Sequence, residues 1–117
     1  MALAETQWEA GRFLDSWATL EALEPIERAT PDVSDLRCRI CIALERWELG
    51  TELAAVLAFA VDVGHHVTAA EFYVAHARER ASWDDVDGVR ELVGRAVSCC
   101  RPIRLQILND HDLMRLY

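Results

Sequence analysis

The chain has no lysine: all twelve of its basic positions are arginine, against twenty aspartates and glutamates, and the net charge is -8. A domain this acidic repels phosphate backbones, so sequence-independent nucleic-acid binding is not expected. Long apolar runs are also missing. The longest, "LAAVLAFAV" (53–61), is too short to span a bilayer. The start, "MALAETQWEAGR", lacks the basic opening and apolar stretch of a secretory signal. These absences give the expectation of a cytoplasmic protein without a membrane partner. No segment sustains the alternation of a strand. There is no glycine-rich phosphate loop and no GxSxG. No cysteine lies near a histidine in the sequence as a nucleophile pair would. The expectation is therefore a protein that is not an enzyme and holds no cofactor.

Apolar residues make up 52% of the chain and charged residues 27%, a balance that fits neither disorder nor a membrane protein. Its 117 residues suit one domain, which at this size buries about 60–70% of its unfolded surface.

Helical periodicity recurs throughout. Leu36, Ile40, Ala43 and Trp47 form one stripe; Val67, Ala70, Val74, Ala77 and Ala81 a second; Val86, Val89, Val93 and Ala96 a third. Thr30 before Pro31 reads as an N-cap with proline at the first helical position. Gly64 reads as the end of a helix that closes near Val63. Ser82 with Asp85 resembles a capping box, and Asp110 reads as the cap of a final turn. An unbroken helix over residues 32–63 would be about 48 Å long, too long for this domain, so a break is expected within 44–50. The spacing predicts helices near 3–10, 12–23, 32–45, 47–63, 67–81, 84–99 and 102–109, with one tight turn in "PIERATP". On the helix at 32–45, Cys38, Cys41 and Ile42 point away from the main stripe. A helix apolar on two sides is sandwiched between neighbours or lies in a dimer interface.

"RFLDSWATLEAL" (12–23) and "RWELGTELAAVL" (46–57) align at an offset of 34 residues. Arg12 matches Arg46, Phe13 matches Trp47, Ser16 matches Gly50 and Leu23 matches Leu57. A period of 34 is that of a two-helix solenoid repeat. A weaker third copy runs through Val86, Val89 and Ala96 at an offset of 39; pairing Trp83 with Trp47 gives 36 instead. Here the chain resembles the tetratricopeptide repeat family. That family places a bulky residue at the start of each second helix and a small one a turn later, where two helices cross closely. Trp47 with Gly50, and Phe13 with Ser16, match those places. Gly11 matches the small residue of the turn between helices, whereas Glu45 departs from it. Pro31 falls where a family proline often sits, and "LNDHDLMRLY" resembles the short turn that closes some arrays. The resemblance implies an all-α fold of antiparallel helix pairs stacked as a short solenoid. Its repeats would span about 1–30, 31–64 and 65–100, with a closing helix at 101–117. A plain antiparallel bundle is the alternative, and it is also all-α.

Four cysteines stand in "CRIC" (38–41) and "CC" (99–100). Four thiolates suit zinc, but the first pair sits in a helical stripe without a knuckle turn and the second is adjacent. All four are expected as small buried apolar residues. His66 has no ligand partner four residues on, and His65, His66, His76 and His111 are not expected to bind metal. The carboxylates of "WDDVD" (83–87) lack the glycine and glutamate of a calcium loop and suit a helix N-terminus. No metal site is expected. In the repeat family partners bind along the surface lined by first helices. At the 39-residue offset Arg39 and Arg78 are equivalent there, with Asp35 and Tyr73 within a turn of them. An arginine pair so placed would fork onto a carboxylate of a bound peptide. The function implied is a non-catalytic protein–protein interaction module, binding a protein or peptide segment or a second copy as a homodimer. The alternative is a small helical metal-binding or redox protein using its cysteines and histidines.

Overall fold

The computed structural model describes residues 1–116, so the last residue of the expected closing segment, Tyr117, lies outside the described residues. Among the described residues the chain forms nine helices and no strand. They are α1 (Ala2–Glu9), α2 (Phe13–Glu21), α3 (Pro25–Arg28), α4 (Pro31–Leu44), α5 (Trp47–Leu57), α6 (Val63–Ser82), α7 (Val86–Cys99), α8 (Ile103–Leu108) and α9 (His111–Leu116). The all-α expectation holds. Among the described residues no helix is long and apolar enough to cross a membrane. Consecutive helices pair: α1 with α2, α4 with α5, α6 with α7. The next pair's first helix then packs on the last, α4 on α2 and α6 on both α4 and α5. The molecule is elongated, 42 × 28 × 21 Å, with a radius of gyration of 14.4 Å.

Within each pair the same turn recurs. Gly11, Glu45 and Asp84 have positive φ (77°, 57° and 55°), and each is followed by the N-cap residue of the next helix. Arg12 and Arg46 share nearly one conformation, φ -89° ψ 68° and φ -90° ψ 73°, and Asp85 comes close, φ -82° ψ 84°. Glu45 thus makes the expected break, ending α4 left-handed with its N–H and that of Arg46 bonded back to Ile42 and Cys41. The third helix start is Val86, which fits the offset of 39, while Trp83 only caps the end of α6 and is exposed.

Two apolar clusters form the core, and α4 lies between them. Val33, Leu36 and Ile40 join Ala4 and Leu20 on one side. Cys38 and Cys41 join Leu53, Leu57, Phe72 and Val74 on the other. Trp17 touches both clusters, and the guanidinium groups of Arg37 and Arg46 lie 4.9 and 5.1 Å from its ring. Ala43, expected in the main stripe, is exposed. Leu44, four residues after Ile40 and the last residue of α4, packs against the smaller cluster in its place.

The closest packing is at Gly50. A Cβ there would overlap Cε2 of Phe72, lie 2.7 Å from its Cζ and 3.1 Å from the Cβ of Cys41. Ser16, its counterpart, is equally buried, but its hydroxyl donates to the Ala4 carbonyl at 2.7 Å and so clamps α2 to α1.

Several expected boundaries move for identifiable reasons. The helix expected at 47–63 stops at Leu57, and the next begins at Val63 rather than near 67. Asp62 takes the N-cap, its carboxylate accepting the Gly64 N–H at 2.8 Å, so Gly64 opens a helix instead of ending one. Ser82 donates to the Glu79 carbonyl; the cap of α7 is Asp85, accepting from Gly88. Thr30 occupies the N-cap position before Pro31, yet its hydroxyl donates back to Glu27. Asp110 does cap the last turn, accepting from the N–H groups of Asp112 and Leu113.

Two outcomes follow for stability. Gly50→Ala adds helix propensity of about 1 kcal/mol, but overpacking against the buried Phe72 ring costs about 1–3 kcal/mol. Urea unfolding is expected to show net destabilisation, whereas Gly94→Ala, in open space on the exposed face of α7, gains stability. Glu45→Gly relieves a left-handed cost of about 1–2 kcal/mol and loosens the unfolded chain by about 0.4–1 kcal/mol. A rise of up to about 1.6 kcal/mol in unfolding free energy is expected; a loss would show that the Glu45 side chain stabilises the turn.

Candidate functional site

Three first helices meet around one groove. Asp32, Asp35, Leu36 and Arg39 recur at helical spacing on one face of α4, and Glu5, Trp8 and Glu9 do so on α1. Gly64 and His65, in the first turn of α6, close the third side. The groove holds about 430 Å³.

A continuous polar chain crosses its floor. Asp35 is buried and fully engaged: Oδ1 accepts from Arg39 Nε at 2.7 Å, and Oδ2 lies 2.7 Å from His65 Nδ1. His65 Nε2 is 3.1 Å from Asp32 Oδ1. Arg39 continues the chain, donating to Thr68 Oγ1 at 3.2 Å, with its guanidinium 5.8 Å from the Trp8 ring centre. The residues that shape the groove therefore also hold α1, α4 and α6 in register. His65 hydrogen-bonds Asp35 through Nδ1, and its protonated form also suits the nearby charge of Asp32. The hydrogen bond to Asp35 is the main influence raising the His65 pKa above its ordinary 6.5; burial opposes it, and the charges of Asp35, Asp62 and Asp32 add to the rise.

The four residues expected at a partner surface separate into three settings. Asp35 and Arg39 pair on the groove. Tyr73 is a core residue, 4% exposed, with the Arg95 guanidinium 5.9 Å from its ring. Arg78 lies on α6 but pairs with Asp110, whose side chain is nearly buried. Burial would raise the Asp110 pKa, but the bond from Arg78 and the N–H groups of Leu113 and Asp112 outweigh it and hold the carboxyl below its usual range. Arg78 thus fastens the α8–α9 closure onto α6. Neither arginine stands ready for an incoming carboxylate, since each already holds one.

His65 was absent from the expected surface. Its partners, Asp32 and Asp35, lie some thirty residues earlier, a separation that helical periodicity does not bridge. The remaining candidates are quiet chemically. Cys38 and Cys41 are buried, and burial pushes both thiols up, Cys41 to about 11. His76 stacks on Trp47 at 5.1 Å, and burial lowers its pKa despite Glu79. Among the described residues no three histidine, cysteine, aspartate or glutamate side chains converge as a metal site.

The histidines set the response of stability to pH. His65 has a raised folded pKa, so its contribution is complete below about 6.5 and is lost as pH rises through the folded value. His76, with a lowered pKa, acts on the other side, losing stability as pH falls below about 6.5. Urea midpoints are expected to fall as pH rises above about 6.5. The fall should flatten in His65→Gln. An unchanged slope in that variant would remove His65 as the cause.

Comparison of the chain with protein-family models, with curated proteins and with solved structures found no match.

Proposed function

We propose that this chain is a non-catalytic, cytoplasmic interaction module of the tetratricopeptide-like kind. Its helix pairs stack as a short solenoid, with repeats over about 1–30, 31–64 and 65–100 and a closing segment from 101. A segment of another protein, or of a second copy, docks along its first helices. The observation that carries the reading is the groove itself: α1, α4 and α6, the first helix of each pair, all contribute to it. The recurring left-handed turn at Gly11, Glu45 and Asp84 supports a repeated helix-pair unit. A binding role suits the side chains better than catalysis. The carboxylates beside His65 favour its protonated form, which cannot act as a general base.

The test is selection of random displayed peptides on the immobilised full chain, with light scattering across a concentration series to register self-association. Peptides that bind wild type in the groove should change in affinity by at least about tenfold, about 1.4 kcal/mol, in the charge-reversing double variant Glu5→Arg with Glu9→Arg, both positions being exposed on the groove wall. Its circular dichroism should stay unchanged. Failure to enrich any peptide, with a monomer at every concentration, would sink the reading.

A further inference from the structure

The groove is acidic once its internal pairs are counted. Asp32 and Asp35 are matched by Arg39 and, when protonated, His65. Glu5 and Glu9 remain exposed on the α1 wall, and among the described residues neither has an ion-pair partner. The groove's side chains therefore carry an excess of two negative charges with His65 protonated and three with it neutral, and the Met1 ammonium on its lining reduces each by one. A carboxylate-bearing ligand meets repulsion here, and a cationic one meets attraction.

Apolar side chains precede the same site along the chain. Immediately before Gly64 and His65, the chain displays Val56, Phe59, Val61 and Val63 at 57%, 91%, 100% and 69% exposure. Four large apolar side chains exposed within eight residues mark an interaction surface. The display is held in place: Phe59 and Ala60 donate back to Val56 and Leu57, and His66 Nε2 lies 2.6 Å from the Ala60 carbonyl. The charge along this stretch of the sequence has one sign. From Trp47 to Ala77 the sequence contains no arginine, only Glu48, Glu52, Asp62 and Glu71 beside histidines. An anionic lipid surface recruits basic segments and would be repelled by this one. A second copy would bring the same acids face to face.

We infer that the groove between α1, α4 and the start of α6 receives a cationic amphipathic segment of a different protein, its arginine or lysine side chains meeting Glu5 and Glu9 and its apolar side meeting Trp8 and the 56–63 display. The inference rests on the docking role proposed above and reverses the sign of the ligand that the Arg39–Arg78 spacing suggested. Charge chooses the partner, and the aromatic and aliphatic contacts supply the holding surface.

The test uses isotopically labelled full-length chain and three synthetic amphipathic peptides of one leucine pattern, with arginine, glutamine or glutamate on the polar side. The arginine peptide should shift the Trp8 indole and Gly64 amide resonances, bind at least about tenfold more tightly than the glutamate peptide, and weaken as salt approaches 0.15 M, where screening acts within about 8 Å. The exposed double replacement Glu5→Gln with Glu9→Gln should weaken it about tenfold and flatten its salt dependence, and Phe59→Ser should weaken all binding peptides alike. Tighter binding of the glutamate peptide at the same resonances would overturn the charge assignment and leave the docking role standing. If no peptide moves Trp8 or Gly64, or if the glutamine replacements change nothing, the cationic segment is excluded. In the first of these cases the docking role falls with it.

Discussion

The fold turns on one contact, the edge of the Phe72 ring seated where Gly50 has no side chain. Phe72 belongs to α6, Gly50 to α5, and Cys41 of α4 completes the seat. Three helices from two successive pairs thus meet at one point that only glycine permits. The ring is fully buried and packs at 5.9 Å against Trp47 and at 5.8 Å against Tyr73. It is therefore poorly placed to move aside for a methyl group. Close-packed interiors transmit such a displacement into neighbouring elements. The position of the start of α6, and with it the third wall of the groove, depends on how closely α6 approaches here.

Helix α4 carries that dependence toward the N-terminal pair. One face gives Cys38 and Cys41 to the larger cluster and the other gives Leu36 and Ile40 to the smaller. A third face presents Asp32, Asp35 and Arg39 to the groove. Each face needs the others. Asp35 is buried, and a buried carboxylate is tolerated only when its oxygens are engaged. Arg39 and His65 engage them, and His65 reaches Asp35 only because α6 has been brought against α4. Packing and polar pairing are two consequences of one helix approach.

The legible part of this arrangement was whatever repeats locally. The apolar spacing gave helices, the length of the unbroken stretch required a break near residue 45, and the match of Ser16 to Gly50 located close helix crossings. The two-sided apolar pattern of α4 likewise anticipated its place between two clusters. What stayed hidden depended on competition or on distance. Asp62 was masked by the apolar run around it, although a short carboxylate at an N-cap outweighs continuation of the helix. Ser16 looked merely small, yet its hydroxyl bonds the Ala4 carbonyl. Arg39 and Arg78 looked equivalent by spacing, but what each side chain meets is decided by the helix opposite, Asp35 and Thr68 in one case and Asp110 in the other. His65 had no local signal at all.

Charge distribution then separates the two ends of the molecule. Asp110 and Asp84 in the C-terminal half are neutralised by Arg78 and Arg115, which tie the closing helices down. These arginines act as fasteners within the chain. The N-terminal half spends Arg39 on Asp35 and leaves Glu5 and Glu9 facing the groove. Exposed carboxylates on a short helix add little to stability, since exposed ion pairs are worth at most about 1 kcal/mol and here there are no pairs. Their field still falls on whatever enters beside Trp8. A concave surface concentrates such a field, so the acids that contribute least to holding the fold weigh most in the proposed choice of ligand.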